Sequence, residues 1–378
     1  MIVRFILLIS VISSGFIACL GQLPTFNLNE DELKSPTVRS ALEKDRHGDT
    51  KGAFSQLDKA IAAGEVLNEA YRIRANRKKR IKDYAGSLAD LDSAIKEEPT
   101  GELFFMRALL KHTYIKDDTG ALLDLELAQK SGYRIDWILY TKAGIKIGQK
   151  DNVAALSLYD QALRTAPENS QMCMELAWFL IRLDQPKSAI TRLDAFLQSY
   201  LQKYGKLPQV KGEKVVKDLE SFATGSGRPL VSRHTVQQTT FNSMKESEEF
   251  TAKNRAAHGI AELLALRGSL YAKTGDISEA LLSLQQAIDV DRNYDNAYAS
   301  RGILFLNRNE PAAAIKELDN AIKIADEPEY YFQRCIAYVT VGNEEMAKKD
   351  LERYAKLNAE GRSELEAQMD ATRKRLGR

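Results

Sequence analysis

Residues 83–95, DYAGSLADLDSAI, place Ser87, Leu91, Ala94 and Ile95 at helical spacing, so that they share one face of an amphipathic helix. Asp92 falls on the opposite side and Asp90 at the edge of the apolar face. The same core recurs along the chain: a small residue, Leu or Tyr four on, then a small or aromatic residue three further. Ala53/Leu57/Ala60, Ser87/Leu91/Ala94, Ala121/Leu125/Ala128, Ala155/Tyr159/Ala162 and Ala189/Leu193/Phe196 follow one another in steps of 34 residues. Ala280/Leu284/Ala287, Ala314/Leu318/Ala321 and Ala347/Leu351/Tyr354 follow after a gap. A fixed period of this length marks stacked units, none of which buries its apolar face alone.

Each unit reads as two helices. Gly48-Asp49, Gly148 to Asp151, Gly275-Asp276 and Gly342-Asn343 are turn signals ahead of the second helix. Before each turn comes a first helix with a small residue near its middle: Ala41, Ala75, Ala143, Ala177, Gly268 or Gly302. Side chains that small let two helix axes approach closely. Pro99, Pro167 and Pro328 punctuate the ends of three second helices, because proline cannot continue the backbone ladder. Arg74, Arg301 and Arg334 each precede the small residue of a first helix and are placed to reach Asp90, Glu317 and Asp350 on the paired second helix. The expected role is a structural pin between helices.

Leu266-Arg267-Gly268-Ser269-Leu270-Tyr271, then Gly275-Asp276, Ala280, Leu284 and Ala287, resemble the tetratricopeptide repeat (TPR), as do Tyr298, Gly302, Phe305, Ala314 and Ala321. The resemblance implies an all-α fold, a right-handed superhelical solenoid of helix-turn-helix repeats. It divides the chain into a five-repeat array over 34–203, an irregular insert over 204–260, a three-repeat array over 261–361 and a C-terminal capping helix over 362–378. The insert reads either as a lid or partner-binding arm, or as a spacer that lets two arrays rotate. Ser243-Met244-Lys245-Glu246 resembles a capping box opening a helix into the sixth repeat.

The N-terminus has a different character. Arg4 precedes the apolar run Phe5 to Ile12 and then Ser13-Ser14-Gly15, the pattern of a secretory signal peptide over 1–21, followed by a linker over 22–33. The expected destination is outside the cytoplasm: periplasmic, envelope-associated or secreted. Two endings fit. Phe16-Ile17-Ala18-Cys19 resembles a bacterial lipobox, with Phe16 where Leu is usual, and makes Cys19 a lipid-attachment residue; ordinary cleavage after Gly21 fits equally. Cys173 and Cys335 lie in different repeats, too far apart in a solenoid to bridge, and read as small core residues.

No catalytic constellation is present in the sequence. His47, His112, His234 and His258 are scattered, without HExxH, GxSxG or a Walker motif, and no cofactor or metal is expected. With 54 basic against 52 acidic residues the chain lacks the basic footprint of a nucleic-acid binder. The resemblance puts function on the concave groove lined by first helices, where residues one repeat apart stack into stripes. Carried in steps of 34, these are Arg72, Met106, Tyr140, Met174; Asn76, Leu110, Gly144, Trp178; and Lys79, Thr113, Ile147, Ile181. A non-catalytic scaffold follows, binding a protein or peptide through Arg72, Asn76, Lys79, Met106, Leu110, Tyr140, Met174 and Trp178. Arg72 and Asn76 fall where chaperone-binding members of the family hold part of a carboxylate clamp, but Arg107, Trp137 and Thr141 stand where Asn, Lys and Arg are usual. The alternative is a membrane-anchored envelope assembly factor working through its convex face or insert.

Overall fold

The computed structural model describes residues 33–209 and 244–377. The expected signal segment, Cys19, His234 and the Ser243 cap lie outside the described residues. Among those residues there are seventeen α-helices and no strand. They fall into two compact units, 33–167 and 168–377. The first holds α1 (Pro36–Arg46), α2 (Thr50–Ala62), α3 (Leu67–Arg80), α4 (Tyr84–Glu97), α5 (Gly101–Leu110), α6 (Asp118–Lys130), α7 (Ile135–Gly148) and α8 (Asn152–Thr165). The second holds α9 (Ser170–Arg182), α10 (Pro186–Tyr204), α11 (Met244–Thr274), α12 (Ile277–Val290), α13 (Asp295–Asn307), α14 (Pro311–Ile324), α15 (Pro328–Val341), α16 (Glu344–Leu357) and α17 (Arg362–Arg375). Within each unit, odd and even helices pair as antiparallel hairpins, and each pair packs on the next. Both units are all-α solenoids of helix-turn-helix repeats.

The turns explain where second helices begin. Asp49, Asp83, Asp117 and Asp151 are N-caps whose carboxylates accept the backbone N–H three residues on, at 2.8, 2.9, 2.8 and 3.1 Å. The residue before each cap is left-handed: Gly48 at φ 79°, Lys82 at 65°, Lys116 at 65° and Lys150 at 61°. At Lys82 this conformation closes the preceding helix, with Asp83 N donating to Lys78 O and Lys82 N to Lys79 O. A lysine there costs roughly 1–2 kcal/mol that glycine avoids.

All eight core triplets face inward. Every member is buried except Leu351, which is half-buried. First-helix Ala75, Ala143 and Ala177 are wholly inaccessible. At Gly302 a Cβ would meet Leu318 Cγ at 2.9 Å and Ala314 O at 3.3 Å, so the pair closes on the absence of a side chain.

In the unit 33–167 one repeat departs from the even period. After α5 the chain makes a π-helical turn over Lys111–Ile115, with Asp117 N bonded to Lys111 O at 3.0 Å. That turn absorbs one extra residue. The inward-facing positions of the third repeat's first helix are therefore displaced by one residue, while its second helix stays in phase. Its wholly buried small residue is Ala108, and its pinning arginine is Arg107.

The arginines pin as expected. Arg74 grips Asp90 through two bonds of 2.9 and 2.7 Å, Arg301 meets Glu317 at 2.6 Å, and Arg334 grips Asp350 at 2.9 and 2.7 Å. Arg107 does the same to Asp124, at 2.9 and 2.6 Å. Each arginine also reaches back to the previous second helix: Arg74 to Asp58, Arg107 to Asp92, Arg301 to Gln285 and Arg334 to Asp319. One guanidinium thus ties three helices. An aromatic ring three residues earlier shelters it, with Tyr71, Phe104, Tyr298 and Tyr331 lying 5.5–5.9 Å away.

The stack continues across the insertion. α11 packs on both α9 and α10, as consecutive repeats do. Arg267 of α11 reaches back to Asp194 of α10 at 3.1 Å, in the manner of the other pins, and Tyr271 Oη donates to the same carboxylate at 3.1 Å. The helices on either side of the insertion belong to one unit. Cys173 and Cys335 are free, buried thiols whose pKa burial pushes up to about 12. α17 covers the last pair with Leu365 and Met369.

Gly302→Val is expected to cost about 1–3 kcal/mol by overpacking. Gly148→Ala, whose Cβ meets nothing within 4 Å, should instead stabilise by about 0.5–1 kcal/mol. Urea unfolding of the two variants checks the contrast. Arg334→Ala strands Asp350, a carboxylate 2% exposed, and should cost about 3–5 kcal/mol. The loss should shrink on acidification, because protonating Asp350 removes the stranded charge.

Candidate functional site

First helices present two kinds of position. One faces the paired second helix and is spent on core or pins; the other lies on the remaining face. In the unit 33–167 that second face belongs to α3, α5 and α7. Arg72 is half-buried on α3 and donates from Nη1 to Glu102 Oε1 on α5 at 3.0 Å, which spends its charge between neighbouring repeats. Asn76 lies one turn on and is half-buried.

The structure places Met106 and Leu110 in the core. Both pack with Ala75, Leu91, Ala94 and Leu103 between the second and third repeats. The π turn is the reason: one residue out of step, Met106 takes the place that Ile73 holds in the repeat before, and Leu110 that of Arg77. The residue one repeat beyond Lys79 is accordingly His112 rather than Thr113. Its Nδ1 lies 2.7 Å from Asp118 Oδ1, and its Nε2 lies 3.8 Å from where a Cβ on Gly144 would be. Sequence held a signal for this shift, since Arg74 and Arg107 are 33 residues apart and position 109 is Leu where a small residue belongs.

Tyr140 is 8% exposed, packed edge-on between Trp137 and Tyr159 at centroid distances of 5.6 and 5.8 Å. Trp137 is equally buried, under the Arg134 guanidinium at 5.4 Å, and its Nε1 has no hydrogen-bond partner among the described residues. Of the remaining clamp positions, Arg107 is locked in its pin and Thr141 is buried with its hydroxyl donating to Trp137 O.

Lys79 stands apart. Its neighbours on α3 have acids: Arg77 and Arg80 share Asp45, and Lys78 meets Asp90 at 2.9 Å. Lys79 is half-buried with no ion-pair partner among the described residues, and burial alone pushes its ammonium pKa down. In the unit 168–377, Met174 and Trp178 lie half-buried on α9. Among the described residues no group of three or more His, Cys, Asp or Glu side chains is arranged to hold a metal, and no helix is long and apolar enough to cross a membrane.

Two stretches of the chain, 146–203 and 261–294, match the tetratricopeptide repeat family. No curated protein sequence matches the chain. Among solved structures, a tetratricopeptide repeat protein from Parabacteroides merdae is similar over 80% of this chain and 98% of its own, at 15% identity and a TM-score of 0.43. The C-terminal part of a TPR repeat-containing protein from Cytophaga hutchinsonii is similar over 76% and 95%, at 10% identity and a TM-score of 0.48. PilW, a widely conserved type IV pilus biogenesis factor, is similar over 68% and 92%, at 14% identity and a TM-score of 0.41. All three scores lie below 0.5, so the fold rests on the helix pairs themselves. By those pairs and the two matched stretches, the chain carries tetratricopeptide repeats.

Proposed function

We propose that the protein is a non-catalytic interaction scaffold that binds a peptide or partner helix on its first-helix faces. The tetratricopeptide fold itself suggests an interaction scaffold. The observation that carries the finer reading is Lys79, a partly desolvated ammonium left without an acid where every neighbouring cation has one. Folding gains nothing from such a charge, whereas an acidic group on a partner would pair with it. Arg72, with one guanidinium nitrogen on Glu102, and Asn76 extend the same face. In the second unit Trp178 supplies the large amphipathic surface that dominates binding energy at interfaces.

A peptide array probed with wild-type protein and variants tests this. Trp178→Ala is expected to lower partner affinity about 30-fold at unchanged stability. Lys79→Gln should cost about tenfold for acidic peptides and nothing for neutral ones. Equal binding by all three proteins would remove the first-helix faces from the function.

A second reading draws on Phe16-Ile17-Ala18-Cys19: an exported envelope assembly factor, acylated at Cys19 and working through its convex face or the 204–260 insert. Cys19→Ser is then expected to move the protein from the membrane to the soluble fraction in its native host, with Trp178→Ala silent.

A further inference from the structure

Asn76, Leu109 and Gly144 follow the wholly inaccessible Ala75, Ala108 and Ala143, so with the π turn counted they hold one position in three successive first helices. The third of them is bare. Gly144 lies inside α7, half-buried, and its φ is not left-handed. Beyond its own helix backbone and chain neighbours, a Cβ there would meet a single atom within 4 Å, His112 Nε2 at 3.8 Å. At Gly268 and Gly302, by contrast, Leu284 and Leu318 already stand 2.8 and 2.9 Å from that point. Gly144 therefore leaves an open notch on the first-helix face, in a row that otherwise carries an amide and an isobutyl group.

His112 gives the notch its chemistry. The ring stands in the π turn, with Nδ1 held 2.7 Å from Asp118 Oδ1. That carboxylate accepts from Nδ1, so a neutral ring carries its proton there and turns a bare Nε2 toward the notch. Nε2 has no hydrogen-bond partner among the described residues. The nearby cations are engaged elsewhere, Lys111 with Asp124 at 2.9 Å and Lys146 with Gln149 Oε1 at 3.0 Å.

We propose, on the basis of the first-helix binding face, that the notch over Gly144 takes the hydroxyl of a serine or threonine on the bound peptide, hydrogen-bonded to His112 Nε2. Size comes first, since the space is that of one missing side chain in the row. Polarity comes second. A hydroxyl both donates and accepts, so it pairs with Nε2 in either protonation state of the ring. A carboxylate only accepts, and it would stand against a ring that Asp118 already holds. An alkyl group would fill the space but leave Nε2 cut off from water without a partner.

A cellulose-bound array of dodecapeptides tests this at pH 7.5. Each peptide carries one fixed Asp, every other position is scanned through Thr, Ser, Val, Ala and Asp, and hits are measured again in solution by fluorescence polarisation. Wild-type protein should bind peptides with Thr or Ser at one fixed distance from the acid about fivefold more tightly than the same peptides with Val. Gly144→Leu, which fills the notch, should weaken those peptides about 30-fold. Its melting temperature should hold, because the new side chain enters open space. His112→Phe keeps a ring and should erase the preference for Thr over Val. Weaker binding by Trp178→Ala or Lys79→Gln with Gly144→Leu silent overturns the notch and leaves the binding face standing. A wild-type preference for Val, Ala or Asp over Thr overturns the hydroxyl assignment, and no binding to any peptide removes notch and face together. Should a variant fail to fold, the nitrogen NMR shift of His112 Nε2 in the wild type decides. It should move on adding the best Thr peptide and not its Val counterpart, and equal movement overturns the hydrogen bond.

Discussion

Both units depend on how closely two helix axes approach within a pair. In the second helices, Ala60, Ala94, Ala128, Ala162, Ala287 and Ala321 have no accessible surface, and they face first helices whose own contact residue is alanine or glycine. At Gly302 and Gly268 even a methyl group would push Leu318 or Leu284 aside. Small residues supply little apolar area themselves. What they do is bring backbones together, so that the larger member of each triplet, such as Leu57, Leu125 or Leu193, is enclosed on every side. The buried core is therefore a row of similar small clusters, and each is completed only when the next repeat arrives.

A row of similar alanine contacts leaves the position of one repeat along its neighbour weakly defined, and the arginines supply what the apolar contacts lack. Arg74, Arg107 and Arg334 each hold a nearly inaccessible aspartate through two parallel bonds and touch an acid of the preceding repeat with the third nitrogen. A planar fork satisfied on both sides fits one arrangement of three helices and no other. Removing a carboxylate from water is costly, so these aspartates contribute to register more than to net stability. Where the fork is missing the junction is looser in chemistry: the fourth repeat has Lys142, which donates to the neutral Gln129.

The periodic features were legible in the sequence because they repeat. The eight triplets and the Arg–acid pairs at Asp90, Glu317 and Asp350 needed only a regular step and a helical face. The arginines' second partners were not legible, because they belong to another repeat; for Arg267 the partner is Asp194, 73 residues away across the insertion. The π turn was hidden for a different reason. It shifts the first helix of one repeat and returns the chain to phase before the second, so a count made on the second helices passes over it. Met106 and Leu110 were assigned to the groove on that count and lie in the core. Tyr140 shows a further limit, since stripe position alone does not reveal that Trp137 and Tyr159 enclose it.

What singles out the face of α3 is a local excess of charge rather than a shape. Arg77 and Arg80 already share the single carboxylate of Asp45, and burial lowers the Arg77 pKa. Lys79 adds a further positive charge with no acid paired to it among the described residues. Repulsion among these groups and their partial desolvation both oppose folding. Elsewhere the repeats avoid that cost: of the lysines nearest the pins, Lys78 rests on Asp90 and Lys111 on Asp124. Replacing Lys79 with a neutral residue would relieve the strain without touching any core contact. On the proposed reading, an acidic group on a bound partner has the charge to satisfy Lys79.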